Sequence, residues 1–417
     1  MSGSMYASIS GLNAEQALLS AVSENIANVN TVGYKASSVS FSQALQQTLA
    51  GASAPTATLG GINPQQVAAG GAVNVGAIGV NMGQGTLQTT GVNTNLAIQG
   101  NGMFIMNSSQ GTTYTRAGNF SLDAAGNLVN PSGEFVQGWN ATSPGTMPNT
   151  TPTTMSNIKI SQGQSIAPAG TTKVTLTGNL NSQTPAPTSS NNQAVTVPVT
   201  LYNSLGAAQN AVFTFKPSTA TPPAWSWTCT VGSGSSKTTV GSGNLTFGSN
   251  GALTPSTTTP TLTLTGPGGT TQTVTVNLSA LTEYAAQSQV QGTADGSAAG
   301  VLDNFSIGSS GAIVGTFSNG LTAQIGQIAM AGFSNPAGLL NVGNGQWQQS
   351  GNSGTPQVGT PATGSLGSLQ AGVLEGSNVN LANEFVNMII AQQGYQANAK
   401  VITIAQQLRT SLVNMVQ

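Results

Sequence analysis

Apolar side chains recur at helical spacing at both ends of the 417-residue chain, while the long interior alternates at the spacing of strands. Near the start, Met5, Ile9, Leu12, Leu19, Val22, Ile26 and Val29 fall on one stripe of a helix over residues 4–29. The run Asn28-Val29-Asn30-Thr31 and then Gly33 mark its stop, because glycine tolerates the positive φ at which helices often end. Near the other end, Leu381, Phe385, Met388, Ile389, Tyr395, Ile402, Ala405, Leu408, Leu412 and Met415 continue the pattern without a proline and predict a second, longer helix. Ser377, Asn378 and Asn380 are its candidate caps; Glu375 and Glu384 flank the positive end of its dipole, and Lys400 and Arg409 lie toward the negative end. The remaining faces carry Ala, Ser, Asn and Gln rather than ion pairs, so both helices depend on packing for their stability.

Between them, Gly/Asn turns separate short runs such as Asn95–Ile98, Phe120–Leu122 and Lys173–Thr177. Asp123-Ala124-Ala125-Gly126-Asn127 reads as a hairpin turn, and 195–199, 211–215, 225–227, 261–264, 313–317 and 324–333 as further strands. Residues 50–72, 141–156 and 348–365 are rich in small residues, Gly or Pro and read as linkers. The expected fold class is therefore mainly β with paired terminal α-helices.

Charge decides what chemistry is open to such a chain. It has 8 Lys+Arg, 9 Asp+Glu and no His, which removes histidine triads and histidine metal sites and leaves too few carboxylates for acid/base pairs. A glycan-degrading enzyme needs two suitably spaced carboxylates, and the long stretch 146–283 holds only Glu283, at its edge. No catalytic residue, cofactor or metal is expected. The few scattered cations cannot neutralise a run of phosphates, so nucleic acid is not an expected partner. Gly100–Ile105 reads as a turn, Tyr34-Lys35 as structural, and the lone Cys229, alternating with Trp225 and Trp227, as a core or half-buried strand residue. No run is apolar and long enough to span a membrane, and the first residues lack the basic and apolar regions of a cleavable secretory signal. A surface that is polar without being charged does little to keep copies apart. If the end stripes meet other copies head to tail, and the rotation does not close, the product is a helical filament.

Asn25-Ile26-Ala27-Asn28-Val29-Asn30-Thr31-Val32-Gly33-Tyr34-Lys35 closely resembles the N-terminal signature of the flagellar rod and hook axial proteins, with Asn25, Ile26, Ala27, Asn28, Asn30, Thr31, Gly33, Tyr34 and Lys35 on its defined positions. Residues 379–400 resemble the C-terminal signature of the same family. Val197–Gly206 with Phe213–Phe215 is similar to the outer β domain of its hook members, and Asn319-Gly320 with Ala331–Leu339 to their inner β domain.

The resemblance implies a structural subunit of the flagellar hook, the flexible joint between rod and filament, located outside the cell on the basal body and exported without a cleavable signal. It implies a nested multidomain layout. Residues 1–35 and 374–417 would pair as the inner core, 36–75 and 366–373 would be linkers, 76–145 with 284–365 the inner β domain, and 146–283 the outer one. The implied partners are further copies in a helical tube, the distal rod protein, the hook cap protein, the hook-filament junction protein, the hook-length ruler and the flagellar type III export apparatus. The stripe expected to drive polymerisation is Met5, Ile9, Leu12, Leu19, Val22 and Ile26 with Leu381, Phe385, Met388, Ile389, Tyr395, Ile402, Leu408 and Leu412. A distal rod subunit and a β-rich surface adhesin are the alternatives.

Overall fold

The structure is a computed structural model that describes residues 2–43, 46–50, 65–68, 73–109, 111–185, 193–218, 224–232, 237–255, 259–266 and 270–416. The chain forms two compact units, one of Met1–Ser161, Phe305–Val314 and Ala323–Gln417, the other of Gln162–Asn304 and Gly315–Thr322. It is mainly β, with one helix at each end.

In the first unit, helix α1 spans Ser2–Ala27 and helix α2 spans Leu381–Val416. Asn380 caps α2, its Oδ1 accepting the Asn383 N–H at 3.3 Å. The helices pack antiparallel, Gly11 lying against Asn398 and Gly394 against Glu15. Small residues make this seam: Ala14 and Ala21 on α1 and Ala391 and Ala405 on α2 are buried, which lets the two axes approach closely.

The segment expected to be a linker at 36–75 is instead built of strands. Ser37–Gln43 pairs antiparallel with Val73–Val80 and packs along α1, and Gln46–Ala50 pairs with Gln65–Ala68. The sequence of the first ribbon does alternate, Val39 and Phe41 between serines and Val73 and Val75 about Asn74, yet Phe41, Val75 and Ile78 are exposed, so the alternation marks no buried face there. Of the loose stretch 50–72, residues 51–64 and 69–72 lie outside the described residues. The second expected linker, 366–373, is also a strand: Ser368–Ala371 pairs with Leu96–Gln99, with Leu369 buried between them. One buried side chain in a glycine-rich run is too faint a pattern to read.

Strands Met103–Ser108, Gly111–Thr115, Phe135–Asn140 and Gln346–Gln348 form the centre of the β body. Its core gathers Met103, Ile105, Tyr114, Trp139, Ala331 and Trp347, and the Trp139 indole donates to the Thr151 carbonyl at 2.9 Å. The hairpin turn at Asp123 forms as its sequence predicts. The carboxylate accepts the N–H groups of Ala125 and Asn127 at 2.8 Å each, and Gly126 takes φ +84°.

The second unit is a β-sandwich. One sheet runs Val195–Tyr202, Ala208–Pro217, Ala224–Val231, Thr238–Thr246; the other runs Thr261–Thr265, Thr271–Tyr284, Lys173–Asn181, Gln289–Ala294. Inward residues of both sheets, among them Leu176, Val197, Phe213, Phe215, Trp225, Trp227, Cys229, Leu262 and Val274, share one core. Burial pushes the Cys229 thiol up to about 12, an inert core side chain.

The outer segment expected at 146–283 is shifted in the structure. Residues 146–161 belong to the first unit, where Ile158 is buried and its N–H bonds the Val136 carbonyl at 2.9 Å. At the other boundary Gln289–Ala294 completes the second sheet of the sandwich.

Glu15 is an acid placed on the helix seam. Its Oε2 is buried without a hydrogen-bond partner, and burial raises its pKa above 4.5. The folded pair therefore binds this proton more tightly than the unfolded chain does, so its contribution is full below 4.5 and is lost as pH rises through the raised value. Helix melting followed by circular dichroism is expected to fall with rising pH more steeply in the natural chain than in Glu15→Gln. Parallel curves for the two would refute this role.

Candidate functional site

The N-terminal signature lies where α1 meets the β body, and its polar residues form one connected network. Asn25, buried at the end of α1, accepts from the Ser37 N–H at 2.9 Å and from the Tyr34 hydroxyl at 3.1 Å, and donates to the Ser37 carbonyl at 2.8 Å. It thereby ties the end of the helix to the strand that follows. Asn28 donates back to the Glu24 carbonyl at 3.0 Å and accepts from the Thr31 hydroxyl at 3.1 Å, which shapes the loop. Ile26 is half-buried, and Ala27, Asn30 and Thr31 face solvent. Gly33 is buried with φ +69°, and a Cβ there would stand 2.5 Å from the backbone nitrogen of Ala117. Its N–H reaches the Glu375 carbonyl at 2.8 Å.

Lys35 carries this network into the protein. Its ammonium lies 2.6 Å from Glu375 Oε1, both side chains wholly buried, and also donates to the Gly83 carbonyl at 2.8 Å. Arg116 approaches the other carboxylate oxygen at 3.4 Å and donates to the Gly100 carbonyl at 2.8 Å. Glu375 Oε1 accepts the Gly85 N–H as well, at 2.8 Å. Asn378 completes the clamp, accepting from the Ala36 N–H at 2.8 Å and donating to the Asn81 and Gly83 carbonyls at 2.7 and 3.0 Å. Burial lowers the pKa of Lys35 and of Arg116, and Glu375 opposes both shifts. Burial, then the charge of Glu24, pushes the Tyr34 phenol up to about 12.

The sequence reading missed Glu375 as the partner of Lys35 and placed it instead at the α2 dipole. In the structure Glu375 ends the strand Val373–Glu375, which pairs with Leu87–Thr89 ahead of the helix. Arg116 was not singled out at all. The available signal was scarcity: in so uncharged a chain, each cation beside a signature is a candidate for a buried pair.

The expected polymerisation stripe is divided by the structure. On α1, Val22 is buried, Met5, Leu12, Leu19 and Ile26 are half-buried, and Ile9 is exposed. On α2, only Met388 and Ile402 turn toward the seam, while Leu381, Phe385, Ile389, Tyr395, Leu408 and Leu412 face solvent. Apolar counting favours large side chains, whereas a close helix pair selects small ones, so the predicted stripe and the observed seam differ. A second row emerges outside the seam. Ile390, Ala397, Val401, Ile404, Leu408 and Met415, spaced seven, four, three, four and seven apart, are all exposed, Leu408 by 54% and Met415 by 81%.

Among the described residues no cluster of metal-ligating side chains occurs, and no helix is long and apolar enough to cross a membrane.

The charged groups of the clamp and most of both helices lie in segments that match known families. Residues 5–35 match the flagella basal body rod protein family and 370–415 the flagellar basal body rod FlgEFG protein C-terminal family. Residues 97–181 match the flagellar hook protein FlgE/F/G D1 domain, and 176–296 the flagellar basal body protein FlaE D2 domain. The chain is 34% identical to the flagellar hook protein FlgE of Treponema pallidum over the whole of both chains, and 33% identical to that of Escherichia coli over 98% of each. Among solved structures, the Helicobacter pylori flagellar hook protein FlgE2 shares the fold with a TM-score of 0.51 at 16% identity, over 68% of this chain and 99% of its own.

Removing the carboxylate leaves two buried cations unpaired. Glu375→Leu is expected to destabilise the first unit by about 3–5 kcal/mol, and adding Lys35→Met to recover part of that loss. Urea unfolding of the two variants checks this; equal stability of Glu375→Leu and the natural chain would mean the charges are not held in a dry site.

Proposed function

We propose, because the chain belongs to the flagellar hook protein family, that it polymerises into the hook tube and passes torque from rod to filament. The observation that carries this reading is the outward row of α2. One face of the helix is taken up by α1, while Ile390, Val401, Ile404, Leu408 and Met415 remain exposed. Each such side chain is worth about 1.5–3 kcal/mol when fully buried. A second copy is the partner whose own helices can offer a matching surface, and a head-to-tail contact that does not close winds into a tube.

The clamp assigns the family signature a part in this. It fixes how α1 and α2 leave the β body of the first unit, so that successive copies present the same angle. The sandwich unit carries little charge, and neighbouring sandwiches slide past one another in a bend with few ion pairs to break. Flagellar type III export without a cleavable signal, and contacts with the distal rod, the hook cap, the hook-filament junction protein and the hook-length ruler, follow from the same family reading, as does a place in the hook outside the cell. The match of 176–296 to a D2 domain supports a hook subunit over a distal rod subunit or an adhesin.

Ile404→Asp and Leu408→Asp are expected to leave the chain folded, since both sites are exposed, yet to abolish tubes seen by electron microscopy at rising concentration. Normal tubes from either variant would end the reading of α2. Excising residues 173–294 joins neighbouring backbone, because Val174 pairs with Ala294. Tubes should still form from the shortened chain but lose their curvature; failure to assemble would give the sandwich a part in assembly itself.

A further inference from the structure

Each terminal helix leaves one face open to solvent. On α2 it holds Ile404, Leu408 and Met415, with Lys400 on its flank. On α1 it holds Tyr6, Ile9, Asn13, Ser20 and Glu24, all exposed, Tyr6 by 59% and Ile9 by 42%. At 3.6 residues per turn the five residues of α1 fall within about 60° of one another, turned away from the buried Ala14, Val22 and Asn25. Glu24 and Lys400 are the only charged residues on the two faces. Neither has an ion-pair partner among the described residues, where both ion pairs belong to Glu375.

The two faces share one spacing. Ile9 lies fifteen residues before Glu24, and Met415 fifteen residues after Lys400, about 22 Å along either helix. Within one chain the two charges are held apart. With Gly11 against Asn398 and Gly394 against Glu15, Lys400 stands level with Ile9 and Glu24 with Phe385, about 22 Å away. A second copy lying alongside in the same direction, displaced by that one length, brings its Lys400 to Glu24 and its Met415 to Ile9 and Tyr6 at once. Ser20 then stands opposite the incoming Ile404. Its hydroxyl already donates to the Gln16 carbonyl at 2.9 Å, so the isoleucine covers no unpaired donor.

We propose that the outer face of α1 in one copy receives the outer row of α2 from the next, and that the Glu24–Lys400 pair between copies fixes their axial step at about 22 Å. This rests on the reading of the chain as a self-polymerising subunit, and adds to it the surface that α2 meets and the register at which it stops. Apolar side chains alone do not set that register, because Ile404, Leu408 and Met415 repeat along the helix and a slip of one turn exchanges one for another. A lone acid and a lone base admit one alignment. The contact is heterologous, α1 meeting α2, so each copy keeps one face free for a further copy.

The test uses tubes grown from the full chain at low salt. Glu24→Lys and Lys400→Glu are each expected to raise the concentration needed for tubes by about tenfold or more, because each sets like charges together. The double variant should return it to within about twofold of the natural chain. The two residues are out of reach of each other within one copy, so such a rescue reports a contact between copies. A carbodiimide, which joins a carboxylate and an amine in direct contact as an amide with loss of water, should yield a Glu24–Lys400 linked peptide from natural tubes and none from dilute monomer. That measurement keeps the test decisive if Glu24→Lys, which lies near Tyr34, unfolds. Folded single reversals that leave the required concentration unchanged, a folded double variant no better than the worse single, or natural tubes without the linked peptide would overturn the proposal while leaving the hook reading in place. A natural chain that forms no tubes at any concentration would overturn both.

Discussion

One carboxylate holds the first unit to a single arrangement. Glu375 meets Lys35 and Arg116 in a dry site, in a chain with only 8 basic and 9 acidic residues. A buried pair of this kind is a poor source of net stability, because desolvation offsets most of the attraction. Its value is that alternatives are worse: any register that separates the three groups leaves a naked charge indoors. The clamp gathers the loop after α1, the turn at 81–85, the end of Gly111–Thr115 and the strand before α2. An apolar contact among the same segments would tolerate small slips, and a network of hydrogen-bonded charges does not.

The terminal helices divide their surfaces by side-chain size. Gly11, Ala14, Gly394 and Ala391 occupy the seam, and apart from Met388 and Ile402 the bulky stripe residues of α2 point away from it. A monomer folding for itself would do the opposite, burying leucine and isoleucine first. The arrangement fits the proposed subunit, in which the small-residue contact is internal and the large apolar area serves association. That area must outweigh the lost freedom of each incoming copy, and long helices supply it more readily than a compact patch.

Most of the strands were legible because the sandwich is buried on one face and so alternates cleanly, as in Ala208–Pro217 and Ala224–Val231. The ribbon Ser37–Gln43 with Val73–Val80 also alternates, at Val39 and Phe41 between serines, but the run is short and adjoins the Gly- and Ala-rich stretch 50–72, so it passed for a linker. The end helices were plain in existence and obscure in orientation: periodicity found Ile389 and Phe385 but could not say that Ala391 would take the seam. Of the clamp, the signature residues Asn25, Gly33 and Lys35 were visible as a motif. Their partner was not, since nothing local relates Lys35 to an acid 340 positions away.

That separation has a physical consequence. Hairpins such as Ser121–Leu122 with Leu128–Val129 close short loops, whereas the clamp closes nearly the whole chain. The entropy of closing a loop grows only with the logarithm of its length, so the long closure is affordable once the β body has already brought its segments together. Closing it first would meet the whole loop-closure cost against a single ion pair. The local sheets are therefore expected to form before the clamp, and the clamp before a fixed direction for α1 and α2. On the proposal that α2 is the polymerising surface, a subunit built in this order would present its apolar helix row in a defined orientation only once its β framework is in place.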